Sequence, residues 1–495
     1  MRAAALFGAA LVAASAATGQ VDDDGLDTFR RAMKEIQERY VDEARVSNEI
    51  LMTKAEEGVL DSLDPESLVL SDDGKPGEAE AGVTIGVKDS SAWVLDVAEN
   101  GPADAAGLKP GDRLLRVGGD DTYNKKRPEI DRALRGPAGT TVWLLWVIAS
   151  GEFREAAVKL AVLNRPAFRR LKLDGTDIIQ VYRLDMAAVR GMKDAMKPDA
   201  DGVVLDLRRA AGGDVDAALE LADSCFAGGE LLATGHAADP MTARQYIASK
   251  KGNPLKMPLV LLTGGGTAGA AELLAAALKE HGRAVLVGKR TFGFAARQKE
   301  FPLGVSGKKR IRLTVERFLS PLSVNLSSTG VESDIEAEAW GTVERSALLD
   351  RHRVPERLAD RLIEDPPASF DAQALKGGEL KLSSLVAKGK SVSEQRWEFE
   401  RSFAVALAAL VQEMELDVKP GQLEAERPAL ISRVRVLLAR RRMTPEAAAL
   451  VALREDREVA LGVDMLKAMR TLKHSPASEA RRQPKPSAVL APAAR

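Results

Sequence analysis

The sequence predicts a multidomain α/β protein with helical regions near both ends. At 495 residues the chain is long enough for about three domains. A hydrophobic content of 45% is ample for buried cores. From residue 177 onward, apolar strand-like runs alternate with helical patterns, which is typical of a largely parallel sheet with helices on its faces.

The overall charge identifies no partner. The chain has 71 Lys and Arg against 72 Asp and Glu, a net charge of −1, so no global field attracts nucleic acid or an anionic membrane. The single cysteine, Cys225, excludes an internal disulfide framework, and four scattered histidines show no metal-ligand spacing. We therefore expect no nucleic-acid partner and no metal site.

Residues 1–17 have the pattern of a secretory signal peptide. Arg2 precedes an uncharged run from Ala3 to Ala17 that contains an Ala14-Ser15-Ala16 cleavage pattern. A run of this length falls short of the roughly 20 residues that span a bilayer. An uncleaved anchor is the alternative, but no flanking charge cluster favours it. We expect an exported protein, periplasmic or extracellular, with no transmembrane span.

The segment that follows is predicted to be helical. Apolar residues at Phe29, Met33, Ile36 and Tyr40 recur at helical spacing, and a second such pattern ends near "SLDPES". Residues 26–70 are therefore predicted to form a helical N-terminal subdomain. Residues 71–81, rich in glycine, proline and charge, are predicted to form a linker.

Residues 78–163 are predicted to form a small β-rich domain. Alternating strands over residues 93–97 and 113–117 are separated by Gly-Pro and Pro-Gly turns. The segments "GPADAAGLKPGDRLLRVGG" (101–119) and "LRGPAGTTVWLLWV" (134–147) resemble a PDZ domain, a β-barrel-like fold.

The PDZ resemblance implies peptide binding. Such domains take an extended peptide as an added strand and hold its terminal carboxylate with backbone N–H groups of a glycine-containing loop. The corresponding loop here is Gly82, Val83, Thr84 and Ile85. The alternative is a packing module without a ligand.

Two glycine-rich segments follow predicted strands, where ligands gather in α/β folds. One is "DLRRAAGGDVD" (206–216), and the other, "TGGGTAG" (263–269), contains the dinucleotide-like spacing Gly264-x-Gly266-x-x-Gly269. The acidic residue that usually follows about 20 positions later is replaced by Lys289 and Arg290. A nicotinamide phosphate site is thus a distant alternative, and we expect no cofactor.

A longer resemblance covers residues 28–336. The segments "SLDPES", "LRGPAGT", "VVLDLRRAAGG", "GRAVLVGKRTFGFAARQ" and "TGVESDI" occur in the order typical of the carboxyl-terminal processing, or tail-specific, serine proteases. The resemblance implies a ClpP/crotonase-like α/β core over residues 164–345. In that family a PDZ domain grips a protein's C-terminus and presents the adjoining chain to a serine-lysine dyad.

Both reactive groups of that dyad are replaced in this chain. A serine hydroxyl needs a neighbouring base, and a lysine serves only when its pKa is lowered toward neutrality. Alignment on Glu272 places Gly269 at the nucleophile position and Phe294, 294 − 269 = 25 residues later, at the lysine position. The supporting glutamine is retained as Gln298.

The resemblance also places backbone oxyanion donors at Gly212 and Gly213. Other groups that could serve as catalysts are Thr267, Lys289 and Lys299, but none has an assigned partner. Phe294 is expected to fill the space left by the missing serine and lysine. The sequence therefore indicates a degenerate, catalytically inactive member.

The remaining chain is predicted to be helical and then disordered. Residues 390–474 contain helical apolar stripes, and residues 475–495 have a disordered composition. Terminal helices often pair subunits in the resembled family, so a homodimer, or a heteromer with an active relative, remains open.

Two functions remain open. The first is an exported pseudoprotease that binds the C-terminal tails of exported proteins or regulates an active relative. The second is an active serine-type endopeptidase that uses groups not assigned here and cleaves proteins near their C-terminus.

Overall fold

The computed structural model describes residues 23–42, 45–64, 66–71, 79–148, 151–196, 201–238, 243–249, 254–303, 309–337, 349, 352–364, 392–418 and 420–473. The predicted signal peptide and C-terminal tail lie outside these residues. Among the described helices, none is long and apolar enough to cross a membrane.

The described helices, in chain order, are α1 (Asp23–Arg39), α2 (Asn48–Asp61), α3 (Pro102–Ala106), α4 (Arg127–Ala133), α5 (Met186–Ala195), α6 (Val215–Asp223), α7 (Ala270–Glu280), α8 (Leu326–Thr329), α9 (Val354–Glu364), α10 (Val392–Glu413), α11 (Pro420–Arg442), α12 (Pro445–Glu455) and α13 (Arg457–Lys473).

The described strands are β1 (Leu68–Ser71), β2 (Ala79–Glu80), β3 (Val83–Lys88), β4 (Ser91–Val97), β5 (Arg113–Val117), β6 (Asp120–Asp121), β7 (Arg135–Gly136), β8 (Thr141–Val147), β9 (Phe153–Lys159), β10 (Phe168–Leu173), β11 (Thr176–Val181), β12 (Val203–Asp206), β13 (Leu231–His236), β14 (Arg244–Ile247), β15 (Leu259–Thr263), β16 (Ala284–Gly288), β17 (Ala296–Leu303), β18 (Lys309–Leu319) and β19 (Ile335–Glu336).

The chain divides into two compact units. The first comprises Met1–Asp73 together with Glu300–Leu313, and the second comprises Gly74–Lys299 and Thr314–Arg495. In the first unit, β1 pairs antiparallel with the beginning of β18, with Leu68 opposite Arg312. The segment predicted to be helical therefore contains α1 and α2 and ends in a strand.

The PDZ-like part of the second unit is a sheet in the order β3-β4-β5-β8-β9, with β6 beside β5. Residues alternate between its faces, since Leu144 and Trp146 of β8 are buried whereas Trp143 between them is exposed. Helix α4 packs against β3. Among the described strands, β3 pairs only with β4, so one edge of β3 is open.

The core sheet has the order β10-β11-β12-β15-β16-β19. Strands β10 and β11 pair antiparallel, and the pairs from β11 to β19 are parallel. The central strands are continuous, mostly apolar runs such as Leu259–Thr263, which is buried along its whole length. Such runs are typical of parallel strands covered on both faces. Strand β13 pairs with β14 and with the end of β18.

Helices cover both faces of this core sheet. Residues of α5, α6 and α7 form one buried cluster with the sheet, and residues of α12 and α13 form another on the strands β11, β12 and β15. A separate cluster joins α9, α10 and α11. The predicted combination of a multidomain α/β core, a PDZ domain and helical terminal regions is confirmed.

Candidate functional site

The turn from β15 into α7 has an unusual backbone conformation at Gly269. This residue caps α7 with φ 66° and ψ −121°. A positive φ favours glycine, because a side chain there crowds the backbone. The turn that the sequence aligns with the family's nucleophile is therefore also a turn at which any side chain would be strained.

A buried carboxylate organises the surroundings of Gly269. Glu272, in the first turn of α7, is fully buried. Its two oxygens accept hydrogen bonds from Gly269 N (2.9 Å), Thr291 Oγ1 (2.6 Å), Gly293 N (2.5 Å) and Phe294 N (2.7 Å). Burial raises the pKa of the Glu272 carboxyl above its ordinary value, although these hydrogen bonds act in the opposite direction. Glu272 thus ties the start of α7 to the segment before β17.

The predicted oxyanion position lies beside the predicted nucleophile position. A Cβ atom built on Gly269 would lie 3.3 Å from Gly212 Cα and 3.7 Å from Gly212 N. The Gly212 N–H donates a hydrogen bond to Ala268 O at 3.2 Å, whereas Gly213 N has no hydrogen-bond partner among the described residues. Both glycines have a positive φ and are exposed.

The predicted lysine position is also close to Gly269. The carbonyl oxygen of Phe294 lies 3.7 Å from the Cβ position of Gly269. The Phe294 side chain is only partly buried and is not part of the core cluster. The described contacts therefore do not support the expectation that Phe294 fills the space of the family's serine and lysine side chains. Gln298 lies four residues later on β17 and is also partly exposed. The fold therefore brings together the positions aligned with nucleophile, base and oxyanion donors.

Hydroxyl groups near this site are used in structural hydrogen bonds. Thr267 Oγ1 donates to Leu207 O (2.8 Å), and Thr291 Oγ1 donates to Glu272. Lys289 and Lys299, the two lysines considered as replacement bases, are exposed. Over the part of the chain that the structure describes, no group of three or more His, Cys, Asp or Glu side chains could hold a metal ion.

Cys225 is buried in the core beside α6. Burial raises the pKa of its thiol, and its Sγ contacts Leu221 O at 3.4 Å. A buried thiol with a raised pKa is a packing group rather than a nucleophile.

A cavity of about 330 Å³ lies where the sequence predicts the peptide site. It is lined by Glu80, Ala81, Gly82, Val83, Thr84, Ala98, Arg127, Asp131, Leu134, Arg135, Leu163, Arg165, Pro166, Tyr182, Arg183 and Ala211. Three of the four predicted loop residues line it, whereas the side chain of Ile85 is buried in the PDZ core. We call this cavity the peptide groove.

Gly82 shapes one part of the wall of this cavity. Its φ is 77°, and a Cβ atom there would lie 2.8 Å from Leu163 Cδ1 and 3.1 Å from Ala98 Cβ. Among the described residues the Gly82 N–H has no hydrogen-bond partner. Gly82 therefore provides an N–H group beside the cavity and leaves room for no side chain.

The core supplies part of the groove that the sequence did not predict. Tyr182 and Arg183 follow β11, and Ala211 lies in the loop after β12. Burial, followed by the charge of Glu99, raises the pKa of the Tyr182 hydroxyl, and nearby arginines oppose this shift. Two arginines lie close to the Tyr182 ring, with Arg165 Cζ 4.2 Å and Arg209 Cζ 5.1 Å from its centre. In the sequence, the doubled arginine in "DLRRAAGG" is the signal that could have indicated the contact between Arg209 and Tyr182.

Two stretches of the chain match known families. Residues 178–337 match Peptidase family S41, and residues 93–148 match the PDZ domain. These stretches correspond to the core that carries Gly212, Gly269 and Phe294 and to most of the small β-domain.

Curated relatives of this chain are named as carboxyl-terminal processing proteases or peptidases. The chain is 28% identical over 308 residues to the carboxy-terminal-processing protease of Bartonella bacilliformis, covering 58% of this chain and 70% of that protein. It is 30% identical over 267 residues to the chloroplastic carboxyl-terminal-processing peptidase 1 of Arabidopsis thaliana, covering 50% and 53%. It is 25% identical over 340 residues to the carboxy-terminal processing protease CtpA of Bacillus subtilis, covering 66% and 71%. The chain thus spans between about half and seven-tenths of these relatives.

A solved structure shares the fold. The photosystem II D1 C-terminal processing protease superposes with a TM-score of 0.51 at 23% identity, covering 63% of this chain and 92% of that one. At this identity the likeness concerns the fold alone.

Proposed function

We propose that this chain, a homologue of the carboxy-terminal processing proteases with a family S41 core and a PDZ domain, is a pseudoprotease. It is exported and binds the C-terminal tails of exported proteins without cutting them. Regulation of an active relative, through pairing with it, is part of the same proposal.

One observation carries the loss of catalysis. The positions aligned with nucleophile and base, Gly269 and Phe294, lie beside each other and beside Gly212, but they offer neither an alcohol nor an amine. Serine-lysine catalysis needs both groups, because the hydroxyl is a weak nucleophile without a base. The nearby Thr267 and Thr291 hydroxyls are held in structural hydrogen bonds.

The peptide groove supports the binding function. The open edge of β3 can pair with an added strand, and the cavity ends at the Gly82 loop, where a terminal carboxylate would meet backbone N–H groups. The lining of the cavity contains four arginines and two acidic residues, so basic side chains are in excess there.

Binding and cleavage are separated by one experiment. We expect a fluorescent peptide with a free apolar C-terminal residue to bind the purified protein and its amidated counterpart to bind more weakly, because amidation removes the carboxylate. During a long incubation we expect mass spectrometry to find both peptides intact. Equal binding of the two peptides would contradict C-terminal recognition.

The alternative is an active serine-type endopeptidase, which the names of the curated relatives favour. Time-dependent cleavage that disappears in Gly269→Val would support this alternative, since the added side chain would meet Gly212 and block the site. Thr267→Val and Thr291→Val would then show whether either hydroxyl is the nucleophile.

A further inference from the structure

One arginine of the core makes several contacts with the end of β4 beside the groove. Arg209, in the loop after β12, donates from Nε to Asp96 Oδ1 (2.6 Å) and from its terminal nitrogens to Val97 O (2.6 Å) and the Glu99 carboxylate. These three partners lie within positions 96–99, at the end of β4 and just beyond it. Arg209 thus holds both the side chains and the backbone of this short segment.

The Arg209 contacts are largely shielded from water. The Asp96 side chain is 1% exposed and that of Arg209 is 18% exposed. Burial would lower the pKa of the Arg209 guanidinium, but Asp96 and Glu99 outweigh it and raise this pKa. Arg165 also binds Asp96, so the buried carboxylate has two cationic partners. A paired, hydrogen-bonded charge of this kind holds its partners in a defined geometry.

The segment that Arg209 holds contacts the loop of Gly82, Val83 and Thr84, which we call the carboxylate loop after its proposed role. Ala98 follows Val97, lines the groove and donates its N–H to Gly82 O at 2.7 Å. Val97 itself is paired with Val83. A shift of the Val97 carbonyl would therefore move the loop that carries the Gly82 N–H.

The same core loop also forms a wall of the groove. Ala211, two residues after Arg209, lines the cavity, and Gly212 N is bound to Ala268 O. Arg208, the preceding residue, binds Asp206 and also Glu458 of α13 at 2.7 Å. The loop is thus anchored on the side away from the groove as well.

We infer that Arg209 is a positioning residue of the peptide groove, which fixes the carboxylate loop from the core side although it need not touch the peptide. This inference rests on the proposed binding of C-terminal tails. It implies that the PDZ domain and the core bind a tail as one unit.

The test measures the affinity of the full chain for the free and amidated peptides. We expect Arg209→Gln to weaken binding of the free peptide about tenfold or more, the size expected for lost charge-assisted hydrogen bonds, and to reduce discrimination against the amide. Glu99→Gln, which removes one partner without leaving a buried charge, should weaken binding by a smaller factor. The effects of Arg209→Gln and Asp96→Asn should be less than additive.

Arg283→Gln is the matched control. Arg283 is also a partly buried arginine that binds backbone carbonyls, those of Leu255 and Met257, but it does not line the groove. We expect it to lower the thermal midpoint while affinity and discrimination stay within about twofold of the parent chain.

The outcomes are distinguishable. If the parent chain binds the free peptide and both Arg209→Gln and Glu99→Gln bind it with unchanged affinity and discrimination, the role of Arg209 is overturned and the proposed function stands. An equal loss of affinity in the Arg283→Gln control would also overturn it. If the parent chain does not bind, both proposals fail.

Discussion

At the scale of single residues, Glu272 has a larger structural role than the sequence indicates. Four donors from two segments converge on its carboxylate, and three of them are backbone N–H groups. The contacts hold the backbones of Gly269 and Phe294 near each other. The arrangement of these aligned positions is therefore maintained by a residue that also stabilises the fold.

Glu272→Gln should destabilise the chain by about 2–5 kcal/mol. In the parent chain each carboxylate oxygen accepts hydrogen bonds, whereas glutamine replaces one of these oxygens with an NH₂ group, which faces the same donors and cannot accept from them. Denaturant unfolding at constant pH measures this loss. Glu280→Gln, at the half-exposed end of α7, serves as a control. The Glu280 carboxylate accepts one backbone hydrogen bond, from Leu322 N. A loss of unfolding free energy no greater than that of the control would show that the buried carboxylate does not stabilise the fold.

The same carboxyl group should give a pH dependence. Its folded-state pKa is raised by burial above the ordinary value of 4.5. The folded state therefore keeps the Glu272 proton to a higher pH than the unfolded state does. As pH rises from 4.5 through the folded-state pKa, the unfolding free energy of the parent chain should fall relative to that of Glu272→Gln, which has no carboxyl group at this position. A stability difference that instead grows with pH would show that the hydrogen bonds outweigh burial.

At the scale of elements, the last helix completes the core. Helix α13 packs on the sheet face opposite α7, with Leu466 fully buried in that cluster. A Cβ atom on Gly202, just before β12, would lie 2.8 Å from Leu466 Cδ1, and one on Gly462 would lie 2.9 Å from Leu262 Cδ2. Close approach of helix and sheet depends on these two small residues.

Leu466→Ala should therefore lower the unfolding free energy by about 2–5 kcal/mol, because it leaves a cavity between α13 and the sheet. Thermal or denaturant unfolding checks this value. Lys467→Ala, one residue along on the exposed side of the helix, should change stability by less than about 0.5 kcal/mol. Similar effects of the two substitutions would show that α13 does not contribute to the core.

At the scale of the whole molecule, the PDZ sheet packs on the core segment before β17. A Cβ atom on Gly86 would lie 2.7 Å from Phe292 Cζ and 2.9 Å from Leu95 Cδ1. Lys88 Nζ lies 5.8 Å from the Phe292 ring centre and 3.3 Å from its carbonyl oxygen. The segment that Glu272 holds in the core is thus also a contact surface for the small domain.

Gly86→Val should destabilise the protein by about 1–3 kcal/mol, because the new side chain overlaps the Phe292 ring. Adding Phe292→Ala should recover part of the loss, so the two substitutions should be non-additive in denaturant unfolding. Gly111→Val is the control for replacing a glycine without a steric clash, because no atom lies within 4 Å of a Cβ atom built there. The φ of 92° at Gly111 contributes backbone strain to this variant. Additive effects of Gly86→Val and Phe292→Ala would argue against the contact.

The fold class could be predicted from the chain. Strand runs such as Leu259–Thr263 and the Gly-Pro and Pro-Gly turns of the small domain are local patterns. The prediction that Gly269 and Phe294 stand at the serine and lysine positions of the resembled family rests on their spacing from Glu272. The expectation for the side chain of Phe294 depended on packing, and the structure leaves that side chain partly exposed.

Local periodicity was sufficient to predict the α/β core, because strand and helix patterns depend on neighbours a few positions apart, whereas the PDZ domain and the alignment of Gly269 and Phe294 with the family's dyad came from the family resemblance. Packing decided the rest. Arg209 and Asp96 are 113 residues apart, and Arg208 and Glu458 are 250 apart. Contacts over such separations form only when the chain is folded, since no local pattern records which distant side chain a buried arginine will meet. The walls of the peptide groove and the second layer on the sheet are therefore properties of the tertiary structure.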